Sequence, residues 1–396
     1  MSTRRRQSGL SLIELMIALT IGLVLLGGLT YLFVNSSNSQ RVGQQVAQQN
    51  GNAQYAMDVL TQDLHLAGYY GQYGAYASGT TLPDPCLTDS ADLYNAINFP
   101  VQGFTDQETP SAPGIVPAGY PSLTGTTCGT LLPNNNLMPG SDILVIRHVD
   151  TNPLNVGDNS VSGQVYLQTD PLGAAMQTGD GSAITSTGTA TGGTATITYR
   201  SSSGALIAGP INQYYVDIYF VAPCSVPADG SNICTGATDD QGHPIPTLKL
   251  LQLGLDGSGN LAFNTITIAE GIQAMKLEYG IDTTPASTNS ITGHVGDGVP
   301  DCYIPNSATA SLTASNFTNA VAVKVFLISR NTTTTKNFTD NKYYPVATSG
   351  TAAACGGTLG TGLVYGSYGD GYMRHAYESL VRLTNLAGRR EIPGGD

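Results

Sequence analysis

The chain has 396 residues and a formal net charge of −12, with 41% apolar and only 11% charged residues. That apolar share can build a core and excludes wholesale disorder; Gly 48 and Pro 21 stay below the share of a low-complexity chain. The acidic balance leaves no basic face, so no direct nucleic-acid partner is expected. The few charges are unevenly placed, with Arg4, Arg5 and Arg6 crowded at the start.

Residues 10–34 carry one charge, Glu14. About 25 helical residues span ~37 Å, more than a ~30 Å hydrocarbon core. The basic run before them should stay in the cytoplasm. The apolar run is longer than the about 7–15 residues of a secretory signal, and no A-x-A cleavage site follows it. Glu14 is the departure. A carboxylate in an apolar helix costs about 2.5 kcal/mol or more near the bilayer centre unless a partner satisfies it. On that residue alone, an ordinary signal anchor remains a competing reading.

The segment G-L-S-L-I-E-L-M-I-A-L, starting at Gly9, resembles the signal of type IV prepilins. The resemblance implies that prepilin peptidase cuts after Gly9, leaving residues 1–9 as a discarded leader. It implies that Leu10 becomes an N-methylated terminus. Glu14 would then pair with the terminal amine of a neighbouring subunit during assembly. Most major pilins have Phe at the first mature position, so Leu10 suits a minor pilin better.

No proline occurs before Pro83. Val42, Val46, Ala53, Ala56, Leu60, Leu64 and Ala67 recur at helical spacing and form one apolar face. Gly68 stands where a C-terminal glycine cap belongs. One helix over residues 10–67 would have about 58 residues and a length of ~87 Å. Gly22, Gly27, Gly28, Gly43 and Gly51 weaken it, and close packing of small residues between helices is the favoured reason. Residues 50–71, N-G-N-A-Q-Y-A-M-D-V-L-T-Q-D-L-H-L-A-G-Y-Y-G, resemble the second helical half of PilW-family minor pilins. Asn50, Gly51, Ala56, Leu60, Asp63, Leu64, Ala67, Gly68 and Tyr69 match that pattern, while His65 stands where Arg is usual. Residues 270–283 and 319–330 resemble the same family. Residues from about 70 to 211 match nothing familiar.

Beyond residue 73 the chain turns to Gly, Thr, Ser, Pro and Asn with short apolar runs. Strands are expected at 142–149, 164–168, 194–200, 214–221, 248–255, 261–268, 274–279, 320–328 and 377–384. Asp256-Gly257-Ser258-Gly259-Asn260 reads as a hairpin loop. Residues 178–209 read as a long loop or a decorated hairpin.

The cysteines are Cys86, Cys128, Cys224, Cys234, Cys302 and Cys355. Disulfides persist outside the cytoplasm. Sequence does not choose among the pairings. The turn-rich stretch after Cys224 favours Cys224–Cys234, and Cys86–Cys128 and Cys302–Cys355 are then sequence-local pairs. Cysteine spacing gives no zinc finger. Asp297-Gly298-Val299-Pro300-Asp301, with Asp282 upstream, resembles an acidic turn of PilW relatives and raises calcium as a candidate ligand. The EF-hand pattern is missing, and an ordinary Asp-Gly turn competes. None of the searched hydrolase, metalloprotease or nucleotide-binding motifs occurs, and His65, His148, His243, His294 and His375 are scattered without a defensible partner.

The expected fold class is α+β and type IV pilin-like: a long membrane-spanning helix packed on a mainly antiparallel β head. The expected division is a leader (1–9), a helix (10–69, with 10–34 in the membrane) and an extracytoplasmic head (70–396). The expected function is that of a non-enzymatic minor pilin acting in pilus assembly or initiation near the tip, without cofactors. Its expected partners are other minor and major pilins, prepilin peptidase, the assembly platform, a tip adhesin and the inner membrane. After assembly its place would be the pilus at the cell surface. A minor pseudopilin of type II secretion and a membrane-tethered enzyme or sugar-binding protein are the alternatives.

Overall fold

The computed structural model describes residues 11–74, 81–105, 126–171, 173–184, 198–200, 206–283, 296–305, 312–346 and 364–390. The chain forms two compact units that divide between Gln48 and Gln49. Helix α1 (Leu12–Leu66, 55 residues) runs through both. Its residues up to Gln48 make up the described part of the first unit.

In the second unit the end of α1 buries the expected stripe. Ala53, Ala56, Leu60, Leu64 and Ala67 are fully buried in one core cluster with residues of both large sheets. Alanine at three of these positions lets the helix backbone approach the strands closely. The helix stops at Gly68, whose φ is +70°. Glycine is required by conformation, and a Cβ there, 2.5 Å from Leu386 Cδ1, would also push that side chain aside. Gly68 N–H donates to the Arg147 carbonyl at 2.9 Å. The Asn385 amide donates to the His65 and Ala67 carbonyls at 3.0 and 3.1 Å, satisfying acceptors the helix end leaves open.

The described strands are β1 (Val101–Thr105), β2 (Asp142–Val149), β3 (Val165–Thr169), β4 (Ala174–Thr178), β5 (Thr198–Arg200), β6 (Leu206–Ala208), β7 (Ile211–Ala222), β8 (Thr247–Leu255), β9 (Leu261–Glu270), β10 (Ile272–Ile281), β11 (Cys302–Pro305), β12 (Ala320–Arg330), β13 (Tyr343–Pro345), β14 (Val364–Gly366) and β15 (Arg374–Arg382). The first sheet has seven strands in the order β1-β2-β7-β3-β4, with β8 joining β7 to β9. The second has the order β11-β10-β12-β15. The described pairings of named strands are antiparallel, which places the head in the α+β class.

Each expected strand region holds a strand; 142–149 keeps its ends and the others shift by a few residues. Within 194–200 the described part is β5, and it pairs with β6 as a hairpin. β15 begins three residues before the expected 377–384. The strands not expected are short: β1, β4, β6, β11, β13 and β14 have three to five residues. So few residues carry no readable period. β1 also contains Gly103, because the Tyr279 ring crosses it; a Cβ at Gly103 would stand 2.3 Å from the Tyr279 hydroxyl oxygen. Asp256 closes the β8–β9 loop by accepting from the Ser258 and Asn260 amides at 2.8 and 2.9 Å.

A polar seam ties the sheets together inside the core. Asp142 at the start of β2 pairs with Lys276 of β10, and both are buried. The second Asp142 oxygen accepts from the Leu277 amide at 2.9 Å. Beside it the Ser141 hydroxyl accepts from the Met275 amide at 3.0 Å. These bonds satisfy charges that would be costly alone.

Leu60 is fully buried, so Leu60→Ala is expected to cost about 2–5 kcal/mol of folding stability in denaturant unfolding. Tyr55→Ala, on the exposed side of the same helix, is expected to stay within about 0.5 kcal/mol.

Candidate assembly interface

The first unit offers an apolar surface and one carboxylate. Leu12, Ile13, Leu15, Met16, Ile17, Leu19, Ile21 and the apolar residues onward to Val34 are exposed. The helix is long and apolar enough to cross a membrane. Gly22, Gly27 and Gly28 leave open space where a side chain would stand, as close helix packing needs. Glu14 sits in the first turn. Its carboxylate accepts from the Ser11 amide at 2.9 Å, and its own amide donates to the Ser11 hydroxyl at 3.3 Å. This reciprocal pair is a capping box, and a carboxylate at the positive end of a helix is favoured. The S-x-x-E spacing from Ser11 to Glu14 is the sequence signal of this cap. Gly9 and Leu10 lie outside the described residues.

In the second unit the end of α1 is held by charge as well as by apolar packing. Asp63 of α1, His148 of β2 and Asp217 of β7 converge. The His148 Nε2 atom is 3.2 Å from Asp63 Oδ1 and 3.2 Å from Asp217 Oδ2. Its Nδ1 lies 3.2 Å from the Val149 carbonyl. The Gln252 amide donates to the other Asp217 oxygen at 2.7 Å, and the His148 ring stacks on Tyr215 at 5.3 Å. Burial disfavours a charged imidazole, but hydrogen bonds to Asp217 and Asp63 and the fields of both carboxylates outweigh it and push His148 up to about 10. Burial also raises Asp217, against the pull of His148. Burial and the same two carboxylates push Tyr219 upward. Sequence reading found no partner for His148. Asp217 and His148 lie 69 positions apart on neighbouring strands, and only the β2–β7 register sets them side by side.

Cys86–Cys128 and Cys224–Cys234 are disulfides, with Cα atoms 5.0 and 5.8 Å apart. Cys302 is also disulfide-bonded, and its expected partner Cys355 lies outside the described residues. The calcium candidates are engaged within the protein. Asp282 is paired with Arg390 at 3.4 Å and accepts from the Gly298 amide at 2.9 Å. Asp297 accepts from the Val299 amide, as an ordinary Asp-Gly turn does, and Asp301 accepts from the Thr283 amide and hydroxyl. Among the described residues, the three carboxylates do not converge as one metal-ligating group.

Residues 4–30 match the family model of the prokaryotic N-terminal methylation motif, and residues 234–385 match that of the type IV pilus-assembly protein W family, PilW. These two matches support a prepilin-type pilin of the PilW family. The PilW match covers β8 to β15, including the resemblances noted at 270–283 and 319–330. The resemblance at 50–71 lies outside it. No curated protein and no solved structure matches the chain. The chain is thus a type IV pilus-related pilin of the kind prepilin peptidase processes, anchored by an apolar N-terminal helix, and its family segments are those of a structural protein.

Folding binds protons more tightly at both His148 and Asp217, so both contribute stability that is lost as pH rises. For His148 it is full below its ordinary value of 6.5 and lost on approaching about 10. In metal-free buffer the melting temperature is expected to fall across that window, on the order of several degrees. His148→Gln is expected to flatten the dependence, as differential scanning calorimetry would read. Reduction should be felt at both described disulfides. Replacing Cys224 and Cys234 by Ser removes a 10-residue closure and should cost about 2–3 kcal/mol, and replacing Cys86 and Cys128 removes a 42-residue closure and should cost about 4 kcal/mol, both measured by urea unfolding.

Proposed function

We propose that this PilW-family pilin is a minor pilin that takes part in pilus assembly and initiation near the tip. Prepilin peptidase cuts between Gly9 and Leu10, and Leu10 becomes the N-methylated terminus. Before assembly the protein spans the inner membrane once, within residues 10–34, and presents the rest outside the cytoplasm. In the filament that apolar helix exchanges lipid for the helices of neighbouring pilins, minor and major. The assembly platform and a tip adhesin are the further partners. The observation that carries the reading is the prepilin signal on a helix whose apolar residues are exposed and whose only acid before Val34 is Glu14.

The chemistry of Glu14 follows from its surroundings. Its carboxylate caps the start of its own helix through the Ser11 amide. A cut at Gly9–Leu10 creates a cationic amine four residues away in sequence. In lipid or in a filament core, that amine on an adjoining subunit is the natural counter-charge for Glu14, because neither charge is stable unpaired there. Pairing fixes the axial register between subunits, while the apolar helix supplies the contact area.

Mass spectrometry of the protein from its native host is expected to show a chain beginning at Leu10 with one added methyl group. A chain beginning at Met1, or cut well beyond Val34, would sink the reading. Glu14→Ala is expected to be processed normally but to enter sheared pili at a tenth of the wild-type level or less. Unchanged incorporation would remove Glu14 from assembly.

A further inference from the structure

We propose that Asp63, His148 and Asp217 form a binding site for one divalent transition-metal ion of the zinc class. The site would pin the last turns of α1 to the first sheet. Its three ligand atoms lie within 4.8 Å of one another. His148 Nε2 is 3.2 Å from an oxygen of each aspartate. Ligand atoms bound at ~2.0–2.1 Å around a tetrahedral zinc stand roughly 3.3 Å apart, so the two separations from His148 match a coordination shell as well as a hydrogen bond.

The surroundings orient the ligands as metal ligands are oriented. His148 Nδ1 faces the Val149 carbonyl. An N–H there fixes the tautomer and leaves the Nε2 lone pair facing both carboxylates. Gln252 holds Asp217 through its other oxygen, at 2.7 Å. The Tyr219 hydroxyl bears on the Asp63 carboxylate, yet Asp63 Oδ2 is buried without a hydrogen bond of ordinary geometry, an arrangement that a cation would relieve. Charge balance points the same way. Two carboxylates and an imidazolium leave one net negative charge beneath the helix. Two carboxylates, a neutral imidazole and a divalent cation leave none.

The other described clusters do not compete. Asp84 with Cys86 and Cys128, and Asp239 with Cys224 and Cys234, have their sulfurs in disulfides. The donor set of one imidazole nitrogen and two carboxylate oxygens suits zinc and its neighbours, whereas calcium and magnesium favour oxygen alone. The metal and the His148 proton occupy the same place. Uptake therefore releases a proton, and affinity rises with pH.

The test uses the full chain in detergent, purified without a metal resin, stripped with EDTA and titrated with zinc chloride. One zinc per chain is expected by plasma mass spectrometry, with a melting temperature raised by zinc and unmoved by calcium. Asp63→Asn and His148→Gln are expected to abolish both uptake and the rise, their folding in EDTA being checked by circular dichroism. Cobalt(II) added to the unmutated chain should give the visible absorption of a nitrogen- and oxygen-ligated ion, a readout that needs no variant. The site is overturned if the folded chain takes up far less than one zinc and gives no cobalt band. Equal zinc uptake by folded Asp63→Asn overturns it too.

Discussion

The head is organised around the stripe of Ala53, Ala56, Leu60, Leu64 and Ala67. These side chains enter one cluster with Leu144 and Ile146 of β2, Leu248 of β8, Met275 and Leu277 of β10 and Val323 and Val325 of β12. A single helix face therefore covers strands of both sheets. Most of the stabilisation comes from removing that apolar area from water, and small residues on the helix let the backbones approach closely. Gly68 ends the helix where the chain must turn away, and Asn385 returns from the far end of the sequence to cap it.

Polar pairs then fix what apolar burial leaves adjustable. Asp142 with Lys276 sets β2 against β10, and Asp63 with His148 and Asp217 sets α1 against β2 and β7. Apolar contact tolerates sliding, whereas a buried charge is stable only in the register that supplies its partner. The first unit follows the opposite rule. Its apolar residues are exposed, which suits a non-aqueous surrounding. One helix thus changes solvent along its length, and the change falls where Gln, Asn and Ser replace the apolar run.

The signal and the helix were legible because each rests on local chemistry. Glu14 stands out as the sole charge in an apolar run, and the spacing of Ala53 to Ala67 repeats with the helical turn. The longer strands were legible for the same reason, being alternating or uniformly apolar runs bounded by turn residues. The turn at Asp256 to Asn260 was legible because an Asp side chain accepts from the next amides and Gly permits the tight backbone. The short strands were not, since three to five residues such as Tyr343–Pro345 become a strand only when a partner lies beside them.

The sequence by itself determined the long helix, the one acid in its apolar run, its glycine stop and the β character of the head, because these depend on residues close along the chain. The tertiary structure decided which distant residues meet. His148 carried no readable role until the β2–β7 register and the packing of α1 placed Asp217 and Asp63 at 3.2 Å. Asp282 was one of three calcium candidates in the sequence, and its pairing with Arg390, 108 positions away, is set by the fold alone. Contacts between residues tens of positions apart follow from register and packing, and no local pattern records them.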